Sequence, residues 1–302
     1  MTQAVVYPAA PSKGWRPWGV LVPFLGIAFV VATSLPFEDL LQKYHLLDAH
    51  DDPAGLAGFA AFLLLPFTAL GLAVLAWVRF VERRPLAAIG LAGRPATFVM
   101  GHLTGMAMTS AIVAGTALAG AFAVSAIAPA LGQPAALAGI AVLLVCFAVQ
   151  SSVEEILFRG WMLSAVAHKF GTLAGVAVSS LVFALLHFDR HATWIFGVNI
   201  ILFAVFASVW SIRTRNILGA MGWHAGWNWV LAVGFELRVT GLDAHLPALF
   251  VRMLPTGPAY LTGGAQGPEG SVFCGAILLG GIALNLLLMR KRARRSPGEP
   301  VA

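Results

Sequence analysis

Glu154-Glu155-Ile156-Leu157-Phe158-Arg159 lies inside an apolar run, about 136–166, that is long enough to cross a membrane. Two adjacent carboxylates and a guanidinium are costly in lipid. At such depth they face a protein interior or a water-filled cavity and mark a functional site by default. Glu155 and Arg159 are spaced i,i+4, so a structural ion pair accounts for both. Glu154 is then left over, about 100° around the helix, and needs chemical company from elsewhere in the chain.

The 302 residues are 59% hydrophobic and 11% charged, against about 25% charged in an ordinary soluble domain. A soluble protein of this composition would precipitate, so the chain reads as a polytopic, all-α integral membrane protein forming one domain over 1–302. The apolar runs are continuous rather than alternating, which argues against an outer-membrane β-barrel. Cys146 and Cys274 both fall in apolar runs and read as small buried hydrophobes with no disulfide or metal spacing.

Runs near 18–37, 54–78, 97–124, 136–166, 171–188, 194–212, 217–235 and 272–289 give about eight transmembrane helices. The first is read as a retained span, because the run after Lys13 and Arg16 lacks a small-x-small cleavage site. With the N-terminus cytoplasmic, segments 1–17, 79–96, 167–170, 213–216 and 290–302 hold fourteen of the nineteen basic residues. The positive-inside rule therefore predicts eight spans with both termini in the cytoplasm and a basic tail over 290–302. The net charge of +6 is loop bias of this kind and implies no nucleic acid. The acidic stretch 38–52 could form a short interfacial helix. Within the long segment 236–270, the stretch from His245 to Met253 could lie on the outer surface of the bilayer, and no function is assigned to the segment.

Company for Glu154 comes from two later runs. The fifth ends in Phe183-Ala184-Leu185-Leu186-His187. The seventh carries His224 and Asn228, i,i+4 on one helix face. Gly222 and Gly226 form a small-xxx-small pattern there, expected to let another helix approach that polar face closely. A single intramembrane His is commonly a hydrogen-bonded packing residue, and an Asn is commonly interhelical glue. Together, two Glu, two His and one Asn on three spans make a hydrolytic set. A desolvated carboxylate suits a general base. A His can position water, and a second His with an amide can donate to an oxyanion. Alternatively, Glu154, His187 and His224 would make a three-ligand Zn site with an open water position.

The ordered motifs Glu154-Glu155-x-x-x-Arg159, Phe183-x-x-x-His187 and His224-x-x-x-Asn228 resemble the CPBP (Abi) family of CAAX prenyl endopeptidases and bacteriocin-processing intramembrane proteases, over roughly 136–235. The resemblance implies that Glu154 and His187 activate water. It implies that His224 and Asn228 stabilise the oxyanion or serve a metal, with Glu155 and Arg159 in support. The cofactor is then zinc or, in a glutamate mechanism, none. The implied partners are the lipid bilayer and a membrane-associated peptide or protein, prenylated or a bacteriocin precursor. A multi-pass protein of a bacterial plasma membrane is expected. A transporter or proton relay would instead continue its ionisable residues toward both faces. A non-catalytic scaffold or immunity protein would tolerate loss of Glu154. Simple hairpin counting sets His187 and His224 at different depths, so the fifth helix is expected to begin inside the bilayer.

Overall fold

The computed structural model describes residues 6–7, 12–188 and 192–295. Asp189 and Arg190 of the expected outer loop, and residues 296–302 of the basic tail, lie outside the described residues. The chain is mostly helical. Helix α1 covers Val22–Lys43, α2 Gly55–Ala76, α3 Pro95–Leu118, α4 Pro134–Glu155, α5 Leu163–Phe170, α6 Thr172–Leu186, α7 Trp194–Thr214 and α8 Leu218–Trp229, before a single turn α9 at Ala259–Thr262 and α10 at Val272–Arg295. Strands β1 (Phe122–Ile127) and β2 (Val251–Pro255) pair antiparallel. Six helical stretches among the described residues are long and apolar enough to span a membrane: 22–43, 55–81, 95–118, 134–170, 194–214 and 272–292. This is a multi-pass membrane protein. The other two expected spans are shorter helices, α6 with 15 residues and α8 with 12.

Three local expectations change. The first helix does not stop at Pro36; it runs on to Lys43 with the proline inside it, as membrane helices allow. The 38–52 stretch therefore has no separate interfacial helix. The third run does not stay helical to 124. Gly120 at φ +73 follows the end of α3, and Phe122–Ile127 becomes β1. Its partner β2 comes from the segment expected on the outer surface.

Helix α8 is the centre of the molecule: every residue from Gly219 to Trp229 is buried. It packs against α3 on one side and α4 on the other. A Cβ at Gly222 or Gly226 would run into the backbone carbonyls of Phe98 or His102 on α3. One at Gly101 or Gly105 of α3 would run into those of Gly219 or Trp223. The glycines thus bring two backbones together with no side chain between them. The glycine face is not the polar face, as the sequence had suggested. His224 and Asn228 lie two positions on from Gly222 and Gly226, about 200° around the helix, and face α4. Gly226→Ala is accordingly expected to destabilise the protein by about 2 kcal/mol or more, read as a fall in the thermal midpoint in detergent, because its methyl meets backbone rather than a movable side chain.

After Glu155 the fourth stretch widens into a π-helical segment, Ile156–Met162, all seven residues buried, before resuming as α5. Such bulges occur frequently at functional sites. The Tyr7 hydroxyl donates to the carbonyl of Arg159 inside this segment, 2.8 Å. Burial, then the nearby Glu155, holds the Tyr7 phenol above its ordinary value, so it remains a donor. At Gly171, φ +89, the chain reverses into α6. At 1.5 Å per residue α6 is about 22 Å long, short of the ~30 Å hydrocarbon core.

Candidate active site

Glu154 and Glu155 end α4, His187 caps the C-terminus of α6, His224 sits mid-way along α8 and Asn228 one turn on, near its end. Glu154, His187, His224 and Asn228 all line one cavity of about 250 Å³. The four sequence candidates for the chemistry are therefore in one place. Its apolar wall is α2, through Phe59, Phe62, Leu63, Pro66, Phe67 and Leu70.

Glu155 is fully buried. Its Oε1 accepts from Arg159 Nη1 at 3.0 Å and from His224 Nδ1 at 2.9 Å. With a carboxylate as its partner, His224 Nδ1 carries the proton, and Nε2 turns to the cavity. There it stands 3.6 Å from Glu154 Oε2. That oxygen is buried and has no hydrogen-bond partner. Oε2 of Glu155 is likewise buried without a partner, but Glu155 does not line the cavity and its Oε1 is taken up by Arg159 and His224; Glu154 is the one of the two that presents an uncommitted oxygen to the cavity.

His187 is held by the residue one turn before it. Its Nδ1 donates to the Phe183 carbonyl at 2.7 Å, and its ring stacks on the Phe183 ring at 4.2 Å. Nδ1 then carries the proton and Nε2 is the free nitrogen. The Arg159 guanidinium lies 4.3 Å from the same Phe183 ring, a cation–π contact that ties the first motif to the second.

Asn228 Nδ2 meets Gln150 Oε1 at 3.2 Å and Ser151 Oγ at 3.4 Å. Those two acceptors are only 3.0 Å apart, too close to receive the two diverging N–H bonds of an amide separately. One N–H serves both, and the second remains for the cavity. Gln150, buried and lining the cavity, was not recognised in the sequence. Its signal was present: it lies four residues before Glu154, on the same helix face.

The second missed residue had no signal of this kind. Glu269, buried between α9 and α10, also lines the cavity, as do Val239, Thr240 and Leu242. Both ends of the 236–270 segment are therefore part of the cavity wall, on either side of the stretch from His245 to Met253. Glu269 Oε1 accepts from Trp227 Nε1 at 3.0 Å, and Oε2 from Thr240 N and Oγ1 at 2.6 and 3.0 Å. Asn199 of α7 donates to the carbonyls of Glu269 and Ser271, pinning the segment to the bundle.

Burial pushes the Glu269 carboxyl above its ordinary value of 4.5, against the lowering from Thr240, Trp227 and nearby His187. The folded state then holds this proton more tightly than the unfolded state. Stability from this group is fully present at pH 4.5 and below and is lost as pH rises through the raised value. The thermal midpoint of the wild type is expected to fall over that window relative to Glu269→Gln, which has no such proton. Parallel midpoint-against-pH curves for the two proteins would refute this.

Among the described residues no group of three His, Cys, Asp or Glu side chains is placed to hold a metal ion. Glu154, His187 and His224 share the cavity without converging as ligands. Neither curated proteins nor solved structures yield a match to this chain. Residues 135–230, from the second residue of α4 to the first after α8, match the family model described as Type II CAAX prenyl endopeptidase Rce1-like, and the ordered motifs within this segment meet in the cavity.

Proposed function

We propose that the protein is an intramembrane endopeptidase that hydrolyses a peptide bond of a membrane-associated substrate. The observation that carries this reading is the uncommitted Glu154 oxygen, buried in a cavity with His187, His224 and Asn228 around it. Glu154 takes a proton from water as the water oxygen bonds to the scissile carbonyl carbon. Nε2 of His187, left free by the Nδ1–Phe183 bond, accepts the second hydrogen of that water and orients it. The carbonyl oxygen becomes an oxyanion, stabilised by the spare Asn228 N–H and by His224 when Nε2 is protonated; preorganised donors of this kind are worth most in a water-poor site. The C–N bond then breaks, and Glu154 returns its proton to the departing amine. Water, protein protons and peptide balance without a Ser or Cys nucleophile. Glu155 and Arg159 hold His224 in its tautomer and the Phe183–His187 unit in place.

The donor set does not converge for a metal, so no step is routed through one. The aromatic and aliphatic wall from α2 suits an apolar substrate segment or a prenyl chain, in keeping with the prenyl endopeptidase family model that the segment matches. The basic bias of one set of loops supports a plasma membrane of a bacterial cell, with both termini inside.

Cleavage of prenylated and unprenylated membrane peptides by purified protein tests this reading. Wild type is expected to cut at least one class, with unchanged rate after treatment with a strong chelator. His187→Ala is expected to lose about 10²-fold or more in rate. Loss of activity in the chelator, restored by Zn²⁺, would transfer the water-activating role to a metal. Cleavage by the His187 variant at the wild-type rate would remove His187 from the mechanism.

A further inference from the structure

A second cavity, about 400 Å³, is lined by Arg16, Trp18, Glu82, His168, Lys169 and Phe170, with small residues between them. It is built where three chain segments meet: the approach to α1, the turn after α2 and the end of α5. The loop charge bias independently assigns these three segments to one side of the membrane, the basic side. The cavity is well constructed. Gly14 N and Ser12 Oγ both donate to the Glu82 carbonyl, and the backbone at Gly19 packs so closely on Lys169 and Phe170 that a Cβ would collide with the Phe170 ring.

The charges in it do not balance. Glu82 is fully buried, and its carboxylate is already spent. Oε1 accepts from the indoles of Trp77 and Trp161 at 3.1 and 2.7 Å, and Oε2 pairs with Arg84 at 2.8 Å. Arg16, His168 and Lys169 have no hydrogen-bond or ion-pair partner among the described residues. Arg16 is half-buried; burial and then the neighbouring Arg84 push its guanidinium below its ordinary value, and the nearby Glu82 offsets this only in part. Trp18 and Phe170, both of the cavity lining, stand exposed, as aromatic residues do at headgroup level.

We propose that this cavity binds a phosphate-ester anion, supplied by the headgroup of an anionic phospholipid in the basic-side leaflet. Arg16 and Lys169 pair with the phosphate oxygens, His168 donates from the cavity wall, and Trp18 packs on the glycerol and the first acyl carbons. Basic pockets between spans on the cytoplasmic side are suited to such headgroups. Glu82, which lines the site, is bonded to Trp161 in the π-helical segment that carries Arg159, so an occupied site abuts that segment.

The test is native mass spectrometry of the full chain, released from detergent after equilibration with equimolar dioleoylphosphatidylglycerol and dioleoylphosphatidylcholine. Wild type is expected to retain phosphatidylglycerol preferentially. The preference should fall about fivefold for each cation removed in Arg16→Ala and Lys169→Ala, and should survive in the charge-keeping pair Arg16→Lys/Lys169→Arg. Inorganic phosphate at millimolar concentration distinguishes the sources: lipid retained in its presence identifies the headgroup as ligand, and lipid displaced identifies a soluble phosphate site. Equal retention of the two lipids by wild type overturns the proposal, as does undiminished preference in the Arg16→Ala/Lys169→Ala protein. If that double variant does not elute as a folded monodisperse species, Lys169→Gln at the exposed position carries the same comparison.

Discussion

Glu154→Gln is expected to lower peptide cleavage by about 10³-fold, within the range that removal of a general base produces, while leaving the fold intact. Gln keeps the shape of Glu and its acceptor oxygen, so the packing around α4 survives. What it lacks is a site for the water proton. The same change should cost little stability, because Oε2 of Glu154 has no hydrogen-bond partner to lose. The measurements are a cleavage rate and a thermal midpoint on one preparation. A rate within tenfold of wild type would show that Glu154 is not the base. A collapse of the midpoint would show that it is structural after all. The non-catalytic scaffold reading predicts no change in either.

The opposite pattern is expected one residue further on. Glu155 and Arg159 are both fully buried and meet at 3.0 Å. Removing one partner of such a pair leaves an uncompensated buried charge, at a cost of about 3–5 kcal/mol. Glu155→Ala and Arg159→Ala are each expected to lose that much stability. The double change Glu155→Leu/Arg159→Met should be less damaging than either single one, since no stranded charge remains. Chemical denaturation in mixed micelles measures this as a double-mutant cycle. Activity separates the two residues further. Glu155 also accepts from His224 Nδ1 at 2.9 Å, so its loss frees the tautomer of a cavity residue, whereas Arg159 meets the cavity wall through the rings of Phe158 and Phe183. Additive effects of the two single changes would mean that the pair is not a unit.

Much of the molecule was legible because a membrane chain advertises its helices by length. Lipid offers backbone groups no partners, so spans must be continuous helices, and the apolar runs matched the helices to within a few residues. The deviations have local causes. Pro36 looked like a terminus, but a proline within a membrane helix costs only one backbone bond. The strand at 122–127 looked like the end of a span, because an apolar strand and an apolar helix share composition when neither alternates.

The site was legible for a related reason. Polar groups are so costly within spans that the few present stand out, and Glu154, Glu155, Arg159, His187, His224 and Asn228 could be picked from residue type and spacing alone. What those residues do to each other could not. Adjacent Glu154 and Glu155 are chemically identical in sequence; they differ because Arg159 and His224 converge on Oε1 of Glu155, whereas Glu154 alone of the two lines the cavity. Gln150 needed the α4–α8 contact to become an amide orienter. Glu269 needed the outer segment to fold back into the bundle, held by Asn199 and Trp227, and loops carry no periodicity that announces such a path. The sequence by itself determined most of the helices and which polar residues lie within them, since those follow from the length of apolar runs and the cost of charge in lipid. Only the tertiary structure decided which carboxylate is spent and which is free, because that depends on which side chains, distant in the chain, arrive first at the same oxygen.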